Sequence, residues 1–424
     1  MKILWLTNKV IPSVDEVRGN KTGLVNEGWI SQMFTQLCHI SGISVTIVCG
    51  GDSGISEGKA KAFDWYTFNE SRNDEILYSK KITSHLINIL KKEMPDIIHI
   101  WGSEYPHTLE MVDAAEQTGL LNRVVISIQG LISSCALRYY SGLPQKIIKK
   151  KTLYDVVRTT GIKNAAEVFY NRGILEIDSF SKVKHCIGRT DWDYYSVKAI
   201  NQTIQYHKCN ETLRKCFYTD SWEYQRCEQY SIFVSQATYP IKGFHFLLQA
   251  LPSILDVYPQ THVYVSGADI TSTKTLVDKL KLSAYGQYLK NLIEKNELQK
   301  NITFLGRLGP ERMKQQYLKA NVFISCSSIE NSPNSVGEAM LLGTPVISSD
   351  VGGVQSILKA PEEGLVYRWD DVEALSKAVV DVFSNPTQAA TRAEKARVHA
   401  QKTHDAENNF SDLLKIYDKI YKGL

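Results

Sequence analysis

A chain of 424 residues exceeds what a single hydrophobic core supports, so two domains are the default organisation. Its 43% apolar and 22% charged content is that of a soluble globular protein, and a net charge of +4 is too slight to argue for a nucleic-acid partner. Eight cysteines with no CxxC pair fit free thiols in a reducing compartment better than a disulfide framework or a zinc site.

The start, MKILWLTNKVIP, holds no apolar run long enough for a signal peptide, and no stretch is apolar enough to cross a membrane. A cytoplasmic location is the expectation. Lys2–Thr7 reads as a first strand, followed by a glycine-bearing loop over Asn8–Gly28, a helix over about 29–40 and a strand over 43–49. Helices around 82–92 and 105–118 then alternate with strands at 96–101 and 123–128. Such alternation predicts a parallel sheet with helices on both faces, and ligands at the carboxyl ends of its strands. The loops 8–28, 102–106 and 129–134 are therefore the ones to watch. None contains GxGxxG, so a dinucleotide fingerprint is absent.

From Leu137 to Arg172 the pattern turns helical and basic, with Lys146, Lys149, Lys150 and Lys151 interleaved with Ile147, Ile148, Leu153 and Val156. Residues 146–158 could rest on an anionic membrane surface, or form an ordinary solvated helix face over a core. A strand at 183–187 ends in Gly188-Arg189, and an aromatic, polar run follows to Tyr230. We place the domain boundary at its end, giving a first domain over 1–228 and a second over 229–407. The lone histidines His99, His185 and His207 lack metal-ligand spacing and read as packing or surface residues.

A second α/β alternation begins with a strand at 231–235, then a loop carrying Lys242 and a helix over 244–255. Strands at 261–266 and 302–305 end near Gly267 and Gly306, and helices cover about 275–295 and 310–320. The densest stretch is 321–353, NVFISCSSIENSPNSVGEAMLLGTPVISSDVGG. It predicts a buried strand, a loop carrying Glu330, a helix starting at Asn334 or Ser335, a stop at Gly343-Thr344-Pro345, and another strand. The amides of Ser335, Val336 and Gly337 would open that helix unpaired, as an anion site between the carboxylates of Glu330 and Glu338. A phosphate flanked by two hydroxyl-rich rings describes a nucleotide sugar. The plainer alternative is a strand-loop-helix with two solvated glutamates. Lys242, at the same sheet edge, could meet a diphosphate as a mobile charge. No DxD-type metal-binding pair stands beside the site, so no metal or other cofactor is expected.

These residues resemble the retaining glycosyltransferases of family 4, the group 1 transferases of GT-B fold. The resemblance rests on Glu330-Asn-Ser-Pro-Asn-Ser-Val-Gly-Glu338 as the E-x7-E signature, with Tyr239-Pro-Ile-Lys242-Gly243, Phe304-Leu-Gly306-Arg-Leu308 and Val351-Gly-Gly353 in support. It implies two Rossmann-like domains facing a cleft, with the C-terminal helix 408–424 crossing back onto the first. Glu330 would hold hydroxyls of the donor sugar, and Glu338 the ribose. Lys242 and the amides near Asn334, Ser335 and Val336 would meet the distal phosphate, while Leu308, Gly306 and Gly267 would line the donor pocket. The donor would be a nucleotide-diphosphate sugar, a UDP-sugar first, and the acceptor a glycan or lipid-linked sugar.

Two positions depart from that pattern. Gln236 stands where the family has an arginine, with Arg189 as a candidate substitute. Gln129-Gly130 stands where the family often has a histidine, so the departing phosphate would deprotonate the acceptor. Gly28 is the nearest remnant of a glycine-rich loop. A nucleotide-sugar epimerase or hydrolase of the same fold, or a non-catalytic nucleotide-sugar-binding protein, are the alternatives.

Overall fold

A computed structural model describes residues 1–19, 30–51, 55–69, 75–158 and 160–423. Two compact units divide the chain. The first combines Met1–Ser133, Phe169–Thr212 and His404–Leu424; the second combines Ser134–Val168 and Leu213–Thr403.

The first unit is built on strands β1 (Lys2–Thr7), β2 (Ser44–Gly51), β3 (Ser56–Lys59), β4 (Phe63–Asn69), β5 (Ile97–Trp101), β6 (Val124–Ser127), β7 (His185–Gly188) and β8 (Gln205–Lys208). They form one sheet in the order β3-β4-β2-β1-β5-β6-β7-β8. All neighbours are parallel except β3 and β4. Successive side chains of β1 serve opposite faces, as the period of a strand requires. Leu4 and Leu6 pack with Ile98, Ile100 and the helices Lys80–Glu93 and Pro106–Gln117. Ile3 and Trp5 pack with Phe34 of the helix Ser31–Cys38 and with Leu413, Ile416 and Tyr417 of the C-terminal helix Ala406–Tyr421. A strand buried on both faces reads as a continuous apolar run, which is why β1 was legible.

The C-terminal helix belongs to this unit and is tied to it by a buried polar chain. Trp5 Nε1 donates to the Tyr417 hydroxyl at 2.9 Å, and that hydroxyl lies 2.5 Å from His99 Nδ1. His99 Nε2 is 2.7 Å from Ser127 Oγ. The network assigns a neutral ring protonated at Nε2. Burial alone holds the His99 pKa down at about 3, so it stays neutral.

The second unit carries β9 (Glu228–Val234), β10 (His262–Val265), β11 (Ile302–Phe304), β12 (Ala320–Ser325), β13 (Val346–Ser349) and β14 (Leu365–Tyr367), all parallel. The order is β11-β10-β9-β12-β13-β14. The chain winds outward one way from β9 and then restarts on its other side at β12. That reversal opens a crevice at the carboxyl ends of β9 and β12, where doubly wound sheets take their ligands.

The basic stretch after Leu137 is four short-to-long helices, Ile132–Leu137, Gln145–Ile148, Leu153–Arg158 and Ile162–Lys182, in place of one long pattern. Gly142 at φ 71° and Pro144 before the second helix break it. Ser134–Val168 belongs to the second unit, and the chain passes between the units again at 212/213, so no single cut at 228 separates them. Three contacts show why. Asp155, 2% exposed, accepts from the Ala284 amide at 2.9 Å, at the start of the helix Ala284–Lys295. The Arg138 guanidinium lies 5.5 Å from the Trp369 ring centre, and Gly142 sits against Phe246. Leu213, Phe217 and Trp222 are buried with Ala320 and Leu342.

Candidate active site

The segment after β9 turns through Pro240–Lys242 and enters the helix Phe244–Val257. The hinge is Gly243, at φ 67°, where a Cβ would overlap the carbonyl oxygen of Cys326 at the end of β12. Ser328 N donates to Ile241 O at 2.8 Å and Cys326 Sγ to Lys242 O at 3.3 Å, so the two loops are laced together. On the far side, Gly352 at φ 52° leaves no room for a Cβ against the Glu330 carbonyl, which accepts from Gly353 N at 3.1 Å. Glu330 is therefore held between two glycine hinges.

That scaffold brings Lys242 Nζ to 2.5 Å from Glu330 Oε1. Ser327 Oγ donates to the same oxygen at 2.6 Å. Burial pushes the Lys242 pKa down, but the Glu330 carboxylate more than offsets it, so the ammonium stays charged well above neutral pH. The lysine is thus a fixed positive charge at the switch point.

The helix Asn334–Leu342 follows, stopped by Gly343 in the left-handed conformation. Its first turn closes on Pro333: Val336 N and Gly337 N both lie on Pro333 O, at 3.0 and 3.3 Å. Those two amides are not the open donors that the sequence predicts. The Ser335 amide lies ahead of the first intrahelical bond, and the Val336 side chain is fully buried. Glu338, one turn in, is buried against Arg214, whose Nη2 and Nε lie 2.5 and 3.0 Å from Oε1. Tyr317 OH donates to Oε2 at 3.4 Å. Burial raises the Glu338 pKa, and Arg214 pulls it partly back.

The other residues expected on the donor side share this edge. Gln236 is exposed just past β9, and among the described residues its amide reaches Thr238 Oγ1, at 3.5 Å. Gly267 and Gly306 end β10 and β11 and pair with each other, Gly267 N to Gly306 O at 2.9 Å. Leu308 is half-buried just beyond.

The residues expected on the acceptor side fall in the first unit. Gln129 and Gly130 follow β6, and Gly130 O accepts from Ser103 Oγ at 3.1 Å. Arg189 is engaged inside the unit: Nη1 lies 2.6 Å from Glu211 Oε2, with the two side chains 5% and 7% exposed. A cavity of about 20 Å³ beside this pair is lined by Ser127, Gln129 and Asn210. Gly28 lies outside the described residues.

Sequence reasoning missed Arg214, Tyr317 and Ser327. It also missed a polar cluster at the β1/β5 switch point of the first unit. There His107 Nε2 lies 3.0 Å from Asn8 Oδ1, and Asn8 Nδ2 lies 3.5 Å from Glu104 Oε2. Position directly after β1 and β5 was the one available signal for Asn8 and Glu104. Arg214 sits in an unpatterned stretch and gave none.

Two Rossmann-like units, each with its own switch point, place the chain in the GT-B class of glycosyltransferase folds. Residues 221–399 match the family model described as Glycosyl transferases group 1. A D-inositol 3-phosphate glycosyltransferase of Corynebacterium urealyticum is 27% identical over 186 residues, 42% of this chain and 41% of that protein. The chain thus spans less than half the length of the curated relatives it first matches. Sucrose-phosphate synthase of Thermosynechococcus elongatus superposes over 100% of both chains with TM-score 0.71 and 15% identity. Anabaena HepE in complex with UDP-glucose covers 99% of this chain and 100% of its own, with TM-score 0.66 and 12% identity. At such identities the structural likeness establishes the fold.

Proposed function

We propose that the protein is a glycosyltransferase that moves a hexose-type sugar from a nucleotide-diphosphate sugar, a UDP-sugar first, to a glycan or lipid-linked acceptor. The observation that carries this reading is the Lys242–Glu330 pair, held rigidly at the switch point beside a helix N-terminus. As the anomeric bond breaks, charge gathers on the departing diphosphate. A positive group aimed there stabilises the transition state more than the ground state. Lys242 and the Ser335 amide supply that charge, without a metal ion. Glu330 orients sugar hydroxyls, and Glu338 the ribose. Attack from the leaving-group face retains the anomeric configuration, with the departing phosphate taking the acceptor proton.

The membrane-facing part of this reading rests on other side chains than the isoleucines among the lysines. Ile147 and Ile148 are buried, so they belong to the core. The short helix Leu153–Arg158 instead exposes Leu153, Val156 and Val157, at 77%, 62% and 81%. Lys146, Lys149 and Lys151 around it are exposed, and its one acid, Asp155, is buried. Exposed aliphatics ringed by cations match an anionic bilayer, which would place the enzyme on the inner face of the membrane, beside lipid-linked acceptors. No helix among the described residues is long and apolar enough to cross a membrane.

The decisive experiment incubates the full chain with UDP-, GDP- and ADP-sugars and a panel of glycan and lipid-linked acceptors, with and without EDTA. Transfer with retained configuration, read by NMR and unchanged by EDTA, is the expected result. Donor hydrolysis or epimerisation without transfer would favour the rival enzyme, and tight donor binding with no turnover the binding protein.

A further inference from the structure

The Arg214–Glu338 pair has a geometry that a purely structural ion pair does not need. Arg214 is mounted on a rigid arm: Leu213 and Phe217 beside it are 2% and 0% exposed, and Leu213 N donates to Tyr218 OH at 3.0 Å. Its guanidinium lies 4.8 Å from the Phe217 ring centre. Two of its nitrogens converge on one oxygen, Oε1, in place of the side-by-side fork that spreads over both carboxylate oxygens. Oε2 is left with the long Tyr317 contact, 3.4 Å. The carboxylate is thus clamped by one oxygen, while the other makes the weaker contact, to the buried Tyr317. The arginine side chain is 28% exposed against 7% for Glu338, so the pair reaches the surface through the cation.

We propose that Arg214 is a positioning residue of the donor site: it anchors Glu338 as an anion turned so that Oε2 accepts hydroxyls of the nucleotide. It also brings a second cation to a site whose expected arginine position holds Gln236. The proposal rests on the donor-site reading of Glu330 and Glu338. The groups facing Glu338 are few. Arg214 and Cys216 come from the segment ahead of β9 and Tyr317 from the helix Pro310–Lys319, whereas Arg397 of the helix Pro386–Thr403 pairs with Glu394 and lies beside Gly343, at the other end of the Glu338 helix. Of these, Arg214 is the one permanent positive charge on the carboxylate.

The test measures UDP binding calorimetrically from pH 5 to 8 for the full-length wild type, Arg214→Met and Arg214→Lys, with thermal melting to confirm folding. Arg214→Met should weaken UDP binding roughly 10- to 100-fold at pH 7, the worth of a hydrogen bond to a charged group. Its affinity should also fall away at a higher pH than in wild type, because Glu338 without the arginine protonates sooner. Arg214→Lys should restore the acid limb and most of the affinity. Unchanged binding in Arg214→Met, or a loss equal at every pH and not rescued by lysine, overturns the proposal. If Arg214→Met does not fold, Arg214→Lys and Arg214→Gln decide: equal pH profiles in the two overturn it. Wild type that binds UDP while its variants behave alike overturns Arg214 alone; wild type that binds none of UDP, GDP or ADP overturns the donor-site reading and this proposal together.

Discussion

Lys242 and Glu330 are 88 residues apart in the chain and 2.5 Å apart in space. Sheet order produces the meeting. β9 and β12 are neighbours in a sheet whose intervening strands wind away to one side, so the loops leaving both strands converge. A cation and an anion at that point are mutually neutralised until a ligand arrives, and a diphosphate would then compete with Glu330 for the ammonium.

Lys242→Ala and Glu330→Gln should each reduce kcat by roughly 10²–10³-fold or more, in the range seen when one donor to a developing anion is lost. Each should also lower the melting temperature, because removing one partner leaves the other charge largely buried (21% and 15% exposed), so kcat is compared per folded molecule. Steady-state kinetics on any acceptor that turns over checks this. Near-wild-type rates in either variant would remove the pair from the chemistry.

Gly243→Ala tests the scaffold instead of the charge. The residue sits at φ 67° with the Cys326 carbonyl where its Cβ would go, so alanine meets both backbone strain and overlap. A destabilisation of roughly 2–4 kcal/mol is expected, with the Lys242 loop displaced and activity lost beyond what stability explains. Gly309→Ala, which has open space around its Cβ, is the control. A Gly243→Ala protein with unchanged melting temperature and kcat would show that the hinge does not position the lysine.

How much of this was legible follows from what the signals measure. Buried parallel strands such as β1 and β12 announce themselves because both faces are apolar. β3 and β8, SEGK and QYHK, are short polar edge strands that carry no such run and escaped notice. The E-x7-E stretch and Lys242 were readable because each lies at the end of a predicted strand. Two of the three expected open amides, those of Val336 and Gly337, are engaged because Pro333, ahead of the helix, supplies the first acceptor. The Arg214–Glu338 pair depends on the fold of 213–218, which has neither helical nor strand period. The membership of 134–168 in the second unit depends on Asp155 meeting Ala284, a contact across the sequence that local patterning does not encode.

His99 gives the stability of the first unit a pH dependence of known sign. Its pKa is about 3 folded against the ordinary histidine value of 6.5, so between those limits the unfolded chain binds a proton that the folded one does not. Stability therefore rises with pH through that window and is lost as pH falls below 6.5. His207, lowered to about 4, adds the same sign in this unit, and His245, also lowered to about 4, does so in the second unit. Urea titrations of wild type and His99→Asn from pH 7 to 5 isolate the term: the variant's slope should be shallower by up to about 1.4 kcal/mol per pH unit. Tyr417→Phe, which removes the hydroxyl shared by Trp5 and His99, should cost about 1–3 kcal/mol. Parallel slopes for wild type and His99→Asn would sink the assignment.

Replacing Lys149, Lys150 and Lys151 together with glutamate should detach the protein from vesicles containing anionic lipid. Each basic residue near such a surface contributes about 1 kcal/mol, so losing three should weaken partitioning by at least roughly 100-fold. Adding salt should have the same direction, because exposed charges are screened over about 10 Å at 0.1 M. The apolar half of the contact is tested separately by Leu153→Ser with Val157→Ser. These side chains are 77% and 81% exposed, so their loss should leave the melting temperature alone while weakening binding to the same vesicles. The buried Ile147 and Ile148 provide the contrast: changing them to serine should unfold the 134–168 segment without acting on lipid directly. If wild type does not sediment with anionic vesicles, the membrane reading falls; if it sediments and the Leu153/Val157 variant does so equally, the attraction is electrostatic alone and the helix does not enter the headgroup layer.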